Sequence, residues 1–134
     1  MSLSNNKQQA VSYIDANAAL FNGVSDDVWG FAELSLKEYQ SAALYCEKCE
    51  ALGFTVERGI CGIDTAFVAK YGEGRPYIGI LAEYDALSGL SQVAEADHQC
   101  ELVPGAGGHG CGHNLLGAGA FAAAAAGKQC VQQF

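Results

Sequence analysis

Apolar residues at Val11, Ile14, Ala18 and Phe21 recur at helical spacing, which predicts an amphipathic helix over residues 9–21 that ends at Asn22-Gly23. Ser25 then reads as the next amino-terminal cap. It precedes Asp26 and Asp27, whose charges suit the positive end of a helix dipole, and then Val28, Trp29 and Phe31. A longer helix is predicted over residues 37–52, with Tyr39, Ala43, Cys46 and Glu50 on one face and Gly53 as its left-handed terminator. Residues 54–57 read as a short strand and 58–62 as a turn. In residues 64–71, Thr65, Phe67 and Ala69 alternate with Ala66, Val68 and Lys70, the pattern of a half-buried strand.

After a glycine-rich connection over residues 72–76, the run Tyr77-Ile-Gly-Ile-Leu-Ala82 is apolar throughout, as a central strand covered on both faces would be. Its carboxyl end delivers Glu83, Tyr84 and Asp85. Residues 88–104 have no clear period and read as a surface loop, a length that often carries function. From His113 or Asn114 to Ala126 the chain is rich in Ala, Gly and Leu, whose small side chains suit a helix laid close against a neighbour. The flanks, residues 1–8 and 127–134, are polar and read as a mobile leader and a tail. The pattern as a whole is α/β, with one domain over residues 9–134.

Half of the 134 residues are hydrophobic, enough for one globular core. The net charge of −8 and the absence of a basic patch argue against a nucleic-acid partner. The opening residues carry no signal pattern, and no apolar run approaches the ~20 residues that span a bilayer. The expectation is therefore a cytoplasmic protein without a membrane partner, with its six cysteines reduced.

The chemistry concentrates in His109-Gly-Cys111-Gly-His113-Asn114. Imidazole, thiol and imidazole alternate with glycines that let the backbone fold tightly, so Cys111 as thiolate and His113 as neutral imidazole can bind a transition metal. The same residues also suit a plain turn with a small buried cysteine and surface histidines. Asp85, at the carboxyl edge of the sheet, reads either as a site residue or as a helix cap. His98 reads as a solvated loop residue. Cys46-Glu-Lys-Cys49 has zinc-knuckle spacing but lies mid-helix without a second pair, so packing explains it better. The glycines around residues 107–119 lack the preceding strand and following acid of a dinucleotide fingerprint.

The wording of this loop and its continuation Leu-Leu-Gly-Ala-Gly-Ala120, together with Gly79-Ile-Leu-Ala-Glu83-Tyr-Asp85-Ala-Leu-Ser88-Gly-Leu90, closely resembles the metal-dependent amidohydrolases related to aminoacylase and carboxypeptidase G. The likeness is greatest to the branch of the aminobenzoyl-glutamate hydrolases, and it runs from about Asn17 to Ala126. It implies a three-layer α/β/α sandwich, the amino-terminal part of a two-metal peptidase catalytic domain. It also implies two divalent ions, zinc or manganese, with Cys111 bridging them and His113 ligating one.

Asp85 inherits a supporting role behind a ligand from the His-x-Asp motif of other branches. Glu83 stands where those branches have histidine. His109, Glu83 and Asn114 remain substrate-facing or supporting candidates, and Ser88 replaces a usual proline. No Glu-Glu pair is present, and the family's acid-base glutamate and its neighbouring ligand are expected in sequence beyond this chain, as is the lid domain that commonly forms a homodimer. The implied reaction cleaves the amide of a small-molecule N-acyl, aminoacyl or aminobenzoyl amino acid, with this chain inactive alone. The alternatives are a non-catalytic metal-binding or assembly module, and a structural zinc or redox protein using Cys46, Cys49, Cys61 and Cys111.

Overall fold

A computed structural model describes residues 4–131. Among the described residues, four α-helices, a 3-10 turn (Ile60–Gly62) and one antiparallel strand pair give a mixed α/β chain: α1 (Asn5–Ala16), α2 (Ala18–Phe31), α3 (Tyr39–Ala51), β1 (Thr55–Arg58), β2 (Phe67–Lys70) and α4 (His113–Val131). The strands pair antiparallel with Thr55 opposite Lys70 and Arg58 opposite Phe67.

The first helix begins at Asn5, earlier than its periodicity predicts, and residues 1–3 of the expected leader lie outside the described residues. The expected stop at Asn22-Gly23 is overturned. The break falls instead at Asn17, between the end of α1 at Ala16 and the start of α2 at Ala18, and its Nδ2 donates to Tyr13 O at 2.8 Å. Beyond it, Phe21, Val24, Ser25 and Val28 form one buried stripe, which carries α2 straight through Asn22-Gly23 on its outer side. Ser25 is thus an interior residue of α2 and caps nothing.

Helix α3 falls where expected, and Gly53 follows it with φ 81°. Its buried face is one step away from the predicted one: Ala42, Tyr45, Cys46 and Cys49 point inward, while Tyr39, Ala43 and Glu50 are exposed. The core joins Phe21, Val24 and Val28 of α2 to Tyr45 and Cys49 of α3 and to Phe121, Ala122 and Ala125 of α4. Phe121 meets the rings of Phe21 at 5.6 Å and Tyr45 at 6.2 Å, both near-perpendicular, a favoured aromatic geometry. Burying each such ring stabilises the fold by about 2 kcal/mol. Helix α4 buries residues at 114, 117, 118, 121, 122, 125 and 126, a continuous helical stripe, and runs on to Val131 where a polar tail was expected. Residues 132–134 lie outside the described residues.

The largest correction concerns residues 77–82. They form no strand; Tyr77, Ile78 and Leu81 are 77%, 88% and 87% exposed. A central strand needs ladders on its edges and layers on its faces, and among the described residues β1 and β2 pair only with each other. No helix among the described residues is long and apolar enough to cross a membrane.

Candidate metal centre

Three backbone segments meet beside the amino end of α4. Leu34 bridges Ala86 in parallel, and Leu87 bridges Gly108 antiparallel through paired bonds of 3.0 Å. This small ladder sets the segment carrying Glu83 and Asp85 next to the loop carrying His109, Cys111 and His113. Tyr84 fixes the first segment from the other side. Its hydroxyl donates to Thr65 O, and its ring lies 5.2 Å from Tyr45 and 6.2 Å from Phe67. Gly112, at φ 82°, adopts the left-handed backbone that turns the loop into the helix, and its carbonyl accepts from Leu115 and Leu116. His113 is thereby the first residue of α4.

His113 Nδ1 lies 2.9 Å from Asp85 Oδ1 and 2.9 Å from Asp85 O. Both partners are acceptors, so Nδ1 carries the proton. In the neutral ring this leaves the Nε2 lone pair free, and Nε2 faces Glu83 Oε2 at 3.5 Å. Two acceptors pointed at each other repel unless a cation lies between them, either a proton on the imidazole or a metal ion. The ligand atoms of Glu83, Asp85 and His113 all lie within 4.8 Å of one another. An aspartate behind a histidine whose other nitrogen is free is the usual support for a metal-ligating imidazole. The donor set, one imidazole nitrogen and carboxylate oxygens, fits a divalent transition ion and leaves coordination positions to be filled.

The other predicted residues separate from this cluster. Cys111 is exposed on the same loop and does not join the three. Asn114 is buried, its Nδ2 donating to Ser25 Oγ at 3.0 Å and to Ser25 O at 3.3 Å, so it anchors α4 to α2. His109 Nε2 donates to Val28 O at 3.0 Å. Burial pushes its imidazole below the ordinary 6.5, and the nearby His113 works the same way against the opposing pull of the Val28 bond and of Asp85. Its Nδ1 is buried without a partner. Beside it opens a cavity of about 310 Å³ lined by Trp29, Phe31, Ser91, Leu102, Val103 and His109. His98 lies on the exposed loop with Asp97, as expected. Cys46 and Cys49 are buried in the α3 interface, while Cys61 is exposed, and among the described residues the cysteines gather into no metal-binding group.

Sequence reasoning missed Glu33. Its Oε1 accepts from Gln40 N at 2.9 Å and its Oε2 from Ser41 N and Ser41 Oγ, each at 2.9 Å, at the start of α3. Its carbonyl accepts from Ala86 N at 2.7 Å. An acid six residues ahead of a helix at Tyr39 was the only local signal for such an anchoring role.

Comparison with curated proteins bears out the resemblance carried by the two motifs: the chain is related to a hydrolase. That relative is a subunit of the p-aminobenzoyl-glutamate hydrolase of Escherichia coli (strain K12), 44% identical over 121 residues, which cover 90% of this chain. The match spans 25% of the relative's own length. No protein-family model matches the sequence.

Proposed function

We propose that this chain forms part of the metal centre of an amidohydrolase, the amino-terminal part of a two-metal catalytic domain with a three-layer α/β/α sandwich. The observation that carries the reading is His113 Nε2, 3.5 Å from the Glu83 carboxylate, on a ring whose Nδ1 is held by Asp85. The relative's name supports the chemistry, and the exposed apolar run at residues 77–82 supports the larger sheet, since it would sit buried with strands on its edges. The substrate class is an amide joining an acyl, aminoacyl or aminobenzoyl group to an amino acid. Of the alternatives, an assembly module has the same exposed run in its favour. Homodimerisation, which the family resemblance implies, is a further part of this reading.

When bound, divalent zinc or manganese would polarise the amide carbonyl and lower the pKa of a water molecule. His113 Nε2 and the Glu83 carboxylate would hold an ion, with the Cys111 thiolate joining them from the same loop. Asp85 keeps the imidazole in the tautomer that binds and adds negative charge behind it. Burial holds the His109 imidazole below its ordinary range, its Nε2 donates to Val28 O, and its buried Nδ1 has no partner. No residue pair here matches the Glu-Glu expected of the acid-base step, and the chain alone is proposed to be inactive.

The test is zinc and manganese binding by calorimetry and metal analysis on the wild type beside His113→Ala, Glu83→Gln and Cys111→Ser. Hydrolysis of p-aminobenzoyl-glutamate is assayed on the same samples. Binding abolished by His113→Ala and weakened on the order of tenfold or more by the other two supports the reading. Metal retained equally in all three sinks it.

A further inference from the structure

We propose that Glu33 is a positioning residue for this metal centre, locking the Asp85 segment and the His109–His113 loop to the amino end of α3. The inference rests on the functional reading above for its purpose, and on geometry for its substance. Glu33 acts from both ends. Its carboxylate takes four hydrogen bonds, from the backbone N–H groups of Gln40 and Ser41, the Ser41 hydroxyl and, at 3.4 Å, the Gln40 carboxamide. These are the orphan amides of a helix start, where a carboxylate is also favoured by the dipole. Its carbonyl takes the N–H of Ala86, the residue next to Asp85, at 2.7 Å.

The same short segment supports the second loop. A Cβ added to Gly107 would lie 2.9 Å from Ala32 O and 3.0 Å from Leu34 Cδ2, so residues 32–34 are seated directly against the start of the His109–His113 loop. Ala32 and Leu36, on either side, both hold left-handed backbone, at φ 46° and 65°. Non-glycine residues adopt that region at a cost, so the segment needs an external hold to keep its shape. Glu33 supplies that hold. Through it, rigidity passes from α3 into the Leu34–Ala86 bridge, and from there into the Asp85–His113 hydrogen bond.

The experiment uses the whole chain and compares Glu33→Ala and Glu33→Gln with Phe21→Leu, a core change that lowers global stability without touching this segment. Three quantities are read: hydrogen exchange of the Ala86 amide, the tautomer of the His113 ring from its nitrogen shifts in metal-free protein, and zinc affinity by chelator competition. Glu33→Ala is expected to speed Ala86 exchange on the order of tenfold beyond the Phe21→Leu control and to turn His113 from the Nδ1–H form into a mixture. It should also weaken zinc on the order of tenfold. Glu33→Gln, which keeps the shape and one acceptor, should fall between. Ala86 exchange and His113 tautomer in Glu33→Ala that match the Phe21→Leu control would overturn the proposal. A wild type that binds no zinc, while Ala86 and His113 respond as stated, would remove the metal reading and leave the positioning role standing.

Discussion

Replacing glycine by alanine inside a helix ordinarily stabilises it by about 1 kcal/mol, because alanine has less backbone freedom to lose. At Gly117 of α4 the structure reverses that sign. A Cβ there would press into the Tyr45 hydroxyl, 3.1 Å from Tyr45 Cζ and 3.0 Å from Glu83 O. Tyr45 is 3% exposed and wedged among Phe67, Tyr84 and Phe121, so its ring cannot swing aside, and the Glu83 carbonyl is backbone. Overpacking of this kind costs roughly 1–3 kcal/mol, so the net effect of Gly117→Ala is a loss of about 1 kcal/mol, with the strain directed at the Glu83 segment. Gly119, two residues on, has open space around its Cβ position and is exposed, so Gly119→Ala should gain about 0.5–1 kcal/mol.

The Tyr45 hydroxyl is itself buried without a hydrogen-bond partner, which makes it the atom to delete. Tyr45→Phe should be close to neutral alone, and combined with Gly117→Ala it should recover about 1 kcal/mol as a coupling energy. Urea denaturation followed by the fluorescence of Trp29, the single tryptophan, and by far-ultraviolet circular dichroism measures all four variants. Equal stabilisation by Gly117→Ala and Gly119→Ala would refute the argument, as would additivity of Gly117→Ala with Tyr45→Phe.

Burial sets thiol reactivity in the same region. Desolvation pushes the Cys46 thiol above its ordinary range and that of Cys49 up to about 11, while Cys61 and Cys111 are exposed. At pH 8 a maleimide should label Cys61 and Cys111 well before Cys46 and Cys49, read by mass spectrometry of digests, and rapid labelling of the Cys46–Cys49 pair would mean that α3 is not packed as described. For Glu33, partial burial pushes the carboxyl up, but its bonds to Gln40 and Ser41 outweigh that and hold it below the ordinary 4.5. A carboxylate depressed on folding contributes stability above its unfolded pKa and loses it as pH falls through the folded value. Stability of the wild type should therefore decline below about pH 4.5 more steeply than that of Glu33→Gln in pH-stepped denaturation, and parallel curves would exclude the carboxylate as the source.

Local pattern was enough for what is local in origin. Helix α3 with its glycine stop, the alternation that pairs β1 with β2, and the glycine loop feeding α4 all follow from spacing and backbone preference within a few residues. Asp85 and His113, one from each motif, meet across 28 residues. The face of α3 went astray by one position because Tyr39 and Glu50 satisfy a helical period as well as Ala42 and Cys49 do, and only the docking of α2 and α4 selects between them.

By itself, the sequence determined which stretches could be helical, which residues could ligate, and, through its wording, which hydrolases it resembles. Tertiary structure decided the rest. Asn114 could have faced a substrate until Ser25 of α2 claimed it across 89 residues. Glu33 becomes an anchor only because α3 folds back onto its carboxylate and Ala86 onto its carbonyl. The apolar run at residues 77–82 reads as buried strand, yet lies exposed without a ladder. The reason is common to all three: hydrogen bonds and burial between distant segments depend on which partner surface arrives, and that is a property of the packed chain rather than of any window along it.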